Sequence, residues 1–168
     1  FSFSLNLDSG SNSIILAAID SAGNRTTRSI DVSYDATPLS ITNLTPESGA
    51  ILAGRKVRIE GRVSESSDVL LSGNGSSTQS ISGTDFSFPV VLNPGDNSYR
   101  IDVATKLGKV AVAHINLIYV PLTLTVASPP DGAEVDKENV LVTGTYTGPS
   151  RTRVTVNSLE ATVSNGSF

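Results

Sequence analysis

The residues that could carry chemistry in this 168-residue chain are few and scattered. His114 is the only histidine, so a Ser-His-Asp arrangement would depend on it, yet the alternating residues around it are typical of an ordinary strand position. No motif pairs the carboxylates for acid–base work. Gly73-Asn74-Gly75 lacks the following helix that a phosphate-binding loop needs, and it indicates a turn. We therefore predict that the chain is not an enzyme.

A calcium site is the other possibility to consider, because hard cations bind where several oxygen ligands converge. The candidate ligands are Asp20, Asn24, Asp35 and Asp131. Their spacing does not form a ligand loop, and Asp and Asn commonly cap turns. We therefore predict no metal and no cofactor. The net charge of −4, without a basic stripe that includes aromatic residues, also argues against nucleic acid as a partner.

β-Strands are the elements that would position any site in this chain. The sequence has no Cys, Met or Trp, while Gly and Pro number 14 and 8, as expected for short strands joined by turns. The lack of cysteine excludes disulfides and thiol catalysis. No run approaches 18 apolar residues, so we expect no membrane partner for this region. The composition agrees with an extracellular β structure.

Alternation of apolar and polar residues predicts strands throughout and no helix. One set of predicted strands covers 39–44, 55–63, 69–72, 77–81, 86–92, 98–104 and 109–119. A second set covers 122–128, 139–146, 151–157, 159–163, 166–168 continuing into 1–7, 13–19 and 25–34. Strands of this number and length, joined by turns such as Pro46-Glu47-Ser48-Gly49 and Asn93-Pro94-Gly95-Asp96-Asn97, favour immunoglobulin-like sandwiches.

An internal repeat relates the two sets of strands. A constant offset of 83 residues pairs Pro46 with Pro129, Gly49 with Gly132, Gly61 with Gly144, Asn74 with Asn157 and Gly83 with Gly166. The alignment continues without a gap from Phe168 into Phe1, placing Phe1 on Phe86, Phe3 on Phe88, Gly10 on Gly95, Asn12 on Asn97 and Tyr34 on Tyr119. The end of the sequence and its beginning therefore read as one continuous module.

The repeat predicts two tandem immunoglobulin-like domains, one of them split across the chain ends. Residues 38–120 form the intact domain. Residues 121–168 form the N-terminal part of the second domain and residues 1–37 its C-terminal part, completed by the neighbouring repeat or subunit. Neither part can bury a core alone, because each leaves an apolar face open to water.

The predicted assembly seam comprises Phe168, Phe1 and Phe3, which the repeat places at a cut inside a strand. We favour a covalent tandem array, because separate termini there would place charges within a sheet ladder. Separate subunits that complete each other head to tail are an alternative. The remaining alternatives are closure of the split domain within one chain and a fragment with arbitrary ends.

Several segments resemble bacterial immunoglobulin-like tandem repeats of secreted and cell-surface proteins. The segments that carry the resemblance are Phe86-Ser87-Phe88, Leu92-Asn93-Pro94-Gly95-Asp96-Asn97, Leu7-Asp8-Ser9-Gly10-Ser11-Asn12, Asp20-Ser21-Ala22-Gly23-Asn24 and Ser128-Pro129-Pro130-Asp131-Gly132. The resemblance implies a stalk, adhesin, filament or spacer. Asp20 and Asn24 are replaced by Thr105 and Lys109 in the other copy, which weakens the case for a shared metal site.

Two surfaces are candidates for lateral contacts between filaments. Ile15 and Ile19 should face outward if their neighbours in the strand face a core. Lys56, Arg58 and Arg62 should share one face of a strand, opposite in sign to the acidic segment 131–138. The alternative in both cases is an ordinary solvated face.

The function predicted from these features is a structural repeat unit of an extracellular filament or cell-surface stalk, with other copies of itself as partners. Linkers with Pro and without a Gly/Ser tether, at 35–38 and 120–121, indicate a stiff rod. The alternatives are a ligand-binding adhesin module and a noncatalytic spacer of a large secreted enzyme. The scarcity of aromatic residues argues against a sugar-binding platform.

Overall fold

The computed structural model describes residues 2–168, which form an all-β protein without a helix. The chain divides into two compact units after Pro38. The strands are β1 (Gly10–Ile19), β2 (Arg25–Tyr34), β3 (Ile41–Thr45), β4 (Ile51–Leu52), β5 (Lys56–Gly73), β6 (Ser76–Val91), β7 (Gly95–Ala104), β8 (Val110–Tyr119), β9 (Thr123–Ser128), β10 (Thr143–Thr147), β11 (Thr155–Val156) and β12 (Leu159–Glu160).

The first unit is a hairpin of β1 and β2, paired without a break from Gly10 opposite Tyr34 to Ile19 opposite Arg25. Residues 2–7 form no strand, so the prediction of a strand through 1–7 is wrong for them, and Phe1 lies outside the described residues. Their counterparts in the repeat, 87–92, are held almost entirely in β6 by pairing with β5. Strand structure in this segment depends on that partner and not on the alternation alone.

The second unit contains a six-stranded sheet in the order β3-β5-β7-β8-β4, with β6 also paired to β5. Neighbouring strands are antiparallel except for β4 and β8, which pair in parallel at Ile51 and Leu52. The first half of β5 pairs with β3, and its second half, from Asp68 to Gly73, pairs with β7. This long strand therefore links two parts of the sheet.

The core of the second unit lies among β5, β6, β7 and β8. Alternate residues of each strand point into it, as period-two patterning requires. Its buried members are Leu39, Ile59, Val63, Val69, Leu71, Phe86, Phe88, Val90, Leu92, Tyr99, Ile101, Val103, Ile115 and Leu117. They form one cluster, so residues 39–120 have a β-sandwich-like character in which the strands enclose their own core.

Residues 121–168 form smaller sheets. β9 pairs with β10, and β11 pairs with β12. Phe168 extends the first of these pairings, because its backbone N–H and carbonyl exchange hydrogen bonds of 3.1 and 3.0 Å with Gly144. Apart from Gly144 and Val154, no residue of this segment is buried. The segment therefore contributes strands without a closed core.

Several predicted boundaries differ from the observed ones. The predicted strands 55–63 and 69–72 are one strand, β5, and the predicted strands 77–81 and 86–92 are likewise one strand, β6. Both run past a local irregularity in their pairing between Arg62 and Ser67. The polar residues at that irregularity interrupt the alternation that predicts a strand.

Candidate assembly site

The turns that precede the β7–β8 and β1–β2 hairpins are each built around one asparagine side chain. Asn97 Oδ1 accepts a hydrogen bond of 2.7 Å from the Asn93 N–H, and Asn97 Nδ2 donates to the carbonyls of Asn93 and Gly95 at 2.8 Å each. These contacts tie the start of β7 to the residues before it. We call this arrangement the asparagine clamp.

The first unit contains the same clamp at the positions that the repeat predicts. Asn12 Oδ1 accepts from the Asp8 N–H at 2.8 Å, and Asn12 Nδ2 donates to the carbonyls of Asp8 and Gly10 at 2.8 and 3.0 Å. Gly10 and Gly95 have φ values of 96° and 87°, a left-handed conformation that glycine adopts without strain. The turn at 93–97 was predicted but the clamp was not, and its signal in the sequence is an Asn four residues after Asp8 or Asn93.

The two hairpins also share their register and their second turn. Tyr99 lies opposite Ile115 in the β7–β8 hairpin, as Ile14 lies opposite Ile30 in the β1–β2 hairpin. In the second turn, the Thr105 N–H donates to the Lys109 carbonyl at 2.9 Å. The corresponding N–H of Asp20 donates to the Asn24 carbonyl at 3.0 Å. The hairpins therefore match from their first residue to their last.

The surroundings of the two clamps differ. Asn97 is fully buried, and its Oδ1 accepts a further hydrogen bond of 2.7 Å from Asn74 Nδ2, which also donates to Tyr99 Oη at 3.2 Å. Asn12 is only partly buried. Burial raises the pKa of Tyr99, and the Asn74 hydrogen bond opposes that rise. The Asn97 clamp is thus closed over by strand β5 and its turn.

Apolar side chains of the split copy are exposed where their counterparts in residues 38–120 are buried. The exposed fractions are 58% for Phe3 against 3% for Phe88, 53% for Leu5 against 6% for Val90, 52% for Ile30 against 1% for Ile115, and 69% for Leu122 against 8% for Leu39. These residues lie in both parts of the predicted split domain. Large apolar side chains that are buried in one copy and exposed in the other are candidates for interaction surfaces.

Phe168, a residue of the predicted seam, lies against Gly144. A Cβ added at Gly144 would collide with the Phe168 ring, just as a Cβ at Gly61 would collide with the Phe86 ring. The constant offset aligns Phe168 with Asp85 and not with Phe86. The ring contact made by Phe168 therefore occurs one residue earlier in the repeat than the offset predicts. Phe3 is exposed, and Phe1 lies outside the described residues.

The predicted lateral surfaces are exposed. Ile15 and Ile19 lie on β1, each about two-thirds exposed. Lys56, Arg58 and Arg62 lie on the exposed face of β5. Acidic residues interrupt this basic face: Ser87 joins Arg58 to Glu60 through hydrogen bonds of 3.1 and 2.8 Å, and Arg62 lies 3.6 Å from Asp85. Its positive charge is therefore partly offset within the same sheet.

Of the side chains considered for calcium or catalysis, Asp20 and Asn24 share one local turn. Asp20 accepts hydrogen bonds from the Asn24 side chain and from the N–H groups of Ala22 and Asn24, which lower the pKa of its carboxyl. His114 is exposed on β8 opposite Arg100. Within residues 2–168, no three His, Cys, Asp or Glu side chains are grouped so that they could hold a metal ion.

Comparison with known proteins provides no relative. The chain matches no family model and no curated protein. In the part of the chain that the structure describes, no helix has the length and apolar character needed to cross a membrane.

Proposed function

We propose that this chain is the structural repeat unit of an extracellular filament or cell-surface stalk built from immunoglobulin-like domains. Residues 38–120 are one such domain, and residues 121–168 of one copy combine with residues 1–37 of the next to complete another. The observation that carries the proposal is the set of apolar side chains that are exposed in the split copy and buried in the intact one.

Completion would bury these side chains as their counterparts are buried. Each large apolar side chain removed from water stabilises the assembled state by about 1.5–3 kcal/mol. Phe3, Leu5, Ile30 and Leu122 are all at least half exposed, so their combined burial provides a driving force for association. Their counterparts in residues 38–120 pack together in one buried cluster.

A filament is favoured over a closed dimer because the two complementary parts lie at opposite ends of the sequence. A contact between unlike surfaces repeats from copy to copy and gives an open chain of subunits or repeats wherever the rotation between copies does not close a ring. The work of such a filament is mechanical, since many cores in series resist extension. A covalent array and separate subunits both fit this proposal.

Electron microscopy of the native material provides the test. A filament of completed domains should have an axial repeat of roughly 70–90 Å for each pair of domains, given the usual strand rise and sandwich size. Continuous density from Phe168 to Phe1 would identify a covalent array, and a break there would identify separate subunits. Isolated compact particles would contradict the proposal and favour an adhesin module or a spacer.

Two charged substitutions make the test specific. Ile30→Asp and Leu122→Asp should each prevent completion of the split domain, because a carboxylate cannot enter the completed core without a large desolvation cost. Filaments of separate subunits should then be lost, and a covalent array should lose its regular axial repeat. Val112→Asp is the matched control, since Val112 is an exposed strand residue of the intact copy. It should leave filaments and their spacing unchanged.

A further inference from the structure

We propose that residues 151–155 of one copy add to the free edge of β1 in a second copy of this chain, antiparallel and with Val154 opposite Leu16. This inference rests on the proposed completion of the split domain and specifies its register. It names the strand that binds, the edge that receives it and the point where the pairing ends.

The β1 edge has a counterpart whose partner is known. In the intact copy, β7 pairs with β8 on one side and with residues 68–73 of β5 on the other. In the described residues, the sheet that contains β1 has only β1 and β2. Because the two hairpins match in length, register and turns, β1 presents the edge that β7 uses for β5.

Residues 151–155 are the counterparts of 68–72, and the turn that follows them agrees with that role, whereas Arg151 has a φ of 69° and must become extended to pair. The strand after them turns at Asn157 and Ser158, with φ values of 48° and 70°. The corresponding turn of β5 has φ values of 52° at Asn74 and 68° at Gly75. The pair Val156 and Leu159 across this turn corresponds to Gly73 and Ser76. The segment therefore reproduces the end of β5.

The register follows from the pairs observed between β5 and β7. Leu71 lies opposite Ile101, and Ser72 lies opposite Arg100. Transferred to the split copy, the pairs are Arg151 with Ile19, Thr152 with Ala18, Arg153 with Ala17, Val154 with Leu16 and Thr155 with Ile15. Val154 and Leu16 then face the core, where Leu71 and Ile101 are buried.

The outer face of the transferred pairing is also chemically compatible. It places Arg151 and Arg153 beside Ile19 and Ala17, which lie opposite Arg25 and Thr27 within the hairpin. The aliphatic stem of an arginine packs on apolar surface while its guanidinium stays in water. The arginines would therefore cover part of the exposed surface of β1.

The pairing should end at Thr155, because the next position differs between the copies. Gly73 has a φ of 125°, and a Cβ there would collide with the Ser98 carbonyl oxygen. Its counterpart is Val156, whose side chain cannot occupy that space. The strand must therefore diverge from β1 before Val156.

Cysteine pairs test the register, since the chain has no cysteine of its own. Two variant chains, Thr155→Cys and Ile15→Cys, are distinguished by a mass tag, mixed and oxidised. A disulfide between these two positions can then form only between two separate chains. Directly opposed residues satisfy disulfide geometry, whereas diagonal ones are too far apart. We expect the matched mixture to give at least about fivefold more heterodimer than the mismatched mixture of Thr155→Cys with Ala17→Cys.

A second matched pair, Arg153→Cys with Ala17→Cys, should cross-link as efficiently as the first. Equal yields from matched and mismatched mixtures, with filaments still present in the microscope, would overturn the register and leave the proposed function standing. Absence of cross-links in the matched mixtures, together with absence of filaments of the unsubstituted chain, would overturn both. Preferential cross-linking of the mismatched pair would replace this register with one shifted by two residues.

Discussion

At the scale of single residues, the asparagine clamp is the most informative group in the chain. One side chain satisfies backbone donors and acceptors on both sides of a tight turn, which a buried turn requires. Asn97 and Asn12 make the same local hydrogen bonds, but only Asn97 is buried and joined to Asn74. The same residue type therefore has a different energetic role in each copy.

Asn97→Ala should destabilise the chain by about 2–4 kcal/mol, because the substitution leaves buried backbone groups without partners. Asn12→Ala, at the partly exposed clamp, should cost about 1 kcal/mol or less, since water can replace the lost contacts. Urea unfolding followed by circular dichroism measures both. A smaller loss for Asn97→Ala than for Asn12→Ala would contradict this interpretation of burial.

Much of the clamp could have been read from the sequence. The spacing of Gly10 and Asn12 repeats at Gly95 and Asn97, and repetition of a turn signal indicates a shared geometry. The sequence does not reveal that Asn74 reaches Asn97. That contact depends on the pairing of β5 with β7, which brings residues distant in the chain together.

At the scale of elements, the β1–β2 hairpin followed the alternation well, whereas two strands of the second unit did not. The β1–β2 hairpin extends the predicted strands 13–19 and 25–34 by only three residues at one end. The short strand β4 was missed, because its parallel pairing with β8 is set by tertiary structure. The predicted strand 139–146 is reduced to Thr143–Thr147, where a partner strand is present.

A close approach between two elements, where β5 meets β7, gives a prediction about glycine. Gly73→Ala should destabilise the chain by about 2–4 kcal/mol, because the new methyl group meets the Ser98 carbonyl and the left-handed φ is strained for alanine. Gly54→Ala is the control, since a Cβ there is 3.8 Å from the Lys56 carbonyl oxygen, an ordinary contact distance. It should change stability by less than about 0.5 kcal/mol.

Both variants are compared by urea unfolding at one protein concentration. Equal stability of the Gly73 and Gly54 variants would show that β5 and β7 can separate at this point without cost. It would also remove the reason for ending the proposed pairing before Val156.

At the scale of the whole molecule, charge and apolar surface are distributed unequally between the copies. The intact copy carries equal numbers of basic and acidic residues, so the net charge of −4 belongs to the split copy. That copy also carries Ile15 and Ile19 where the intact copy has Arg100 and Ala104. Contacts between filaments should therefore involve the split copy more than the intact one.

Ile15→Thr combined with Ile19→Thr should loosen lateral bundling of filaments and leave single filaments intact, because threonine keeps the β-branched shape but reduces apolar surface. Val110→Thr combined with Val112→Thr makes the matched change on exposed residues of the intact copy. Bundle width in electron micrographs is the measurement. Unchanged bundles in the first variant, or equal loosening in both, would count against this surface.

The Asn12 clamp has a consequence for how fast copies would join. It fixes the beginning of β1 by contacts within the hairpin, before any partner contributes. The start of β1 therefore loses less conformational freedom when a partner binds, and association resembles the docking of two preorganised surfaces. Growth of the filament would then be limited by how often complementary ends collide and not by refolding at each tip, so its rate should rise in proportion to concentration.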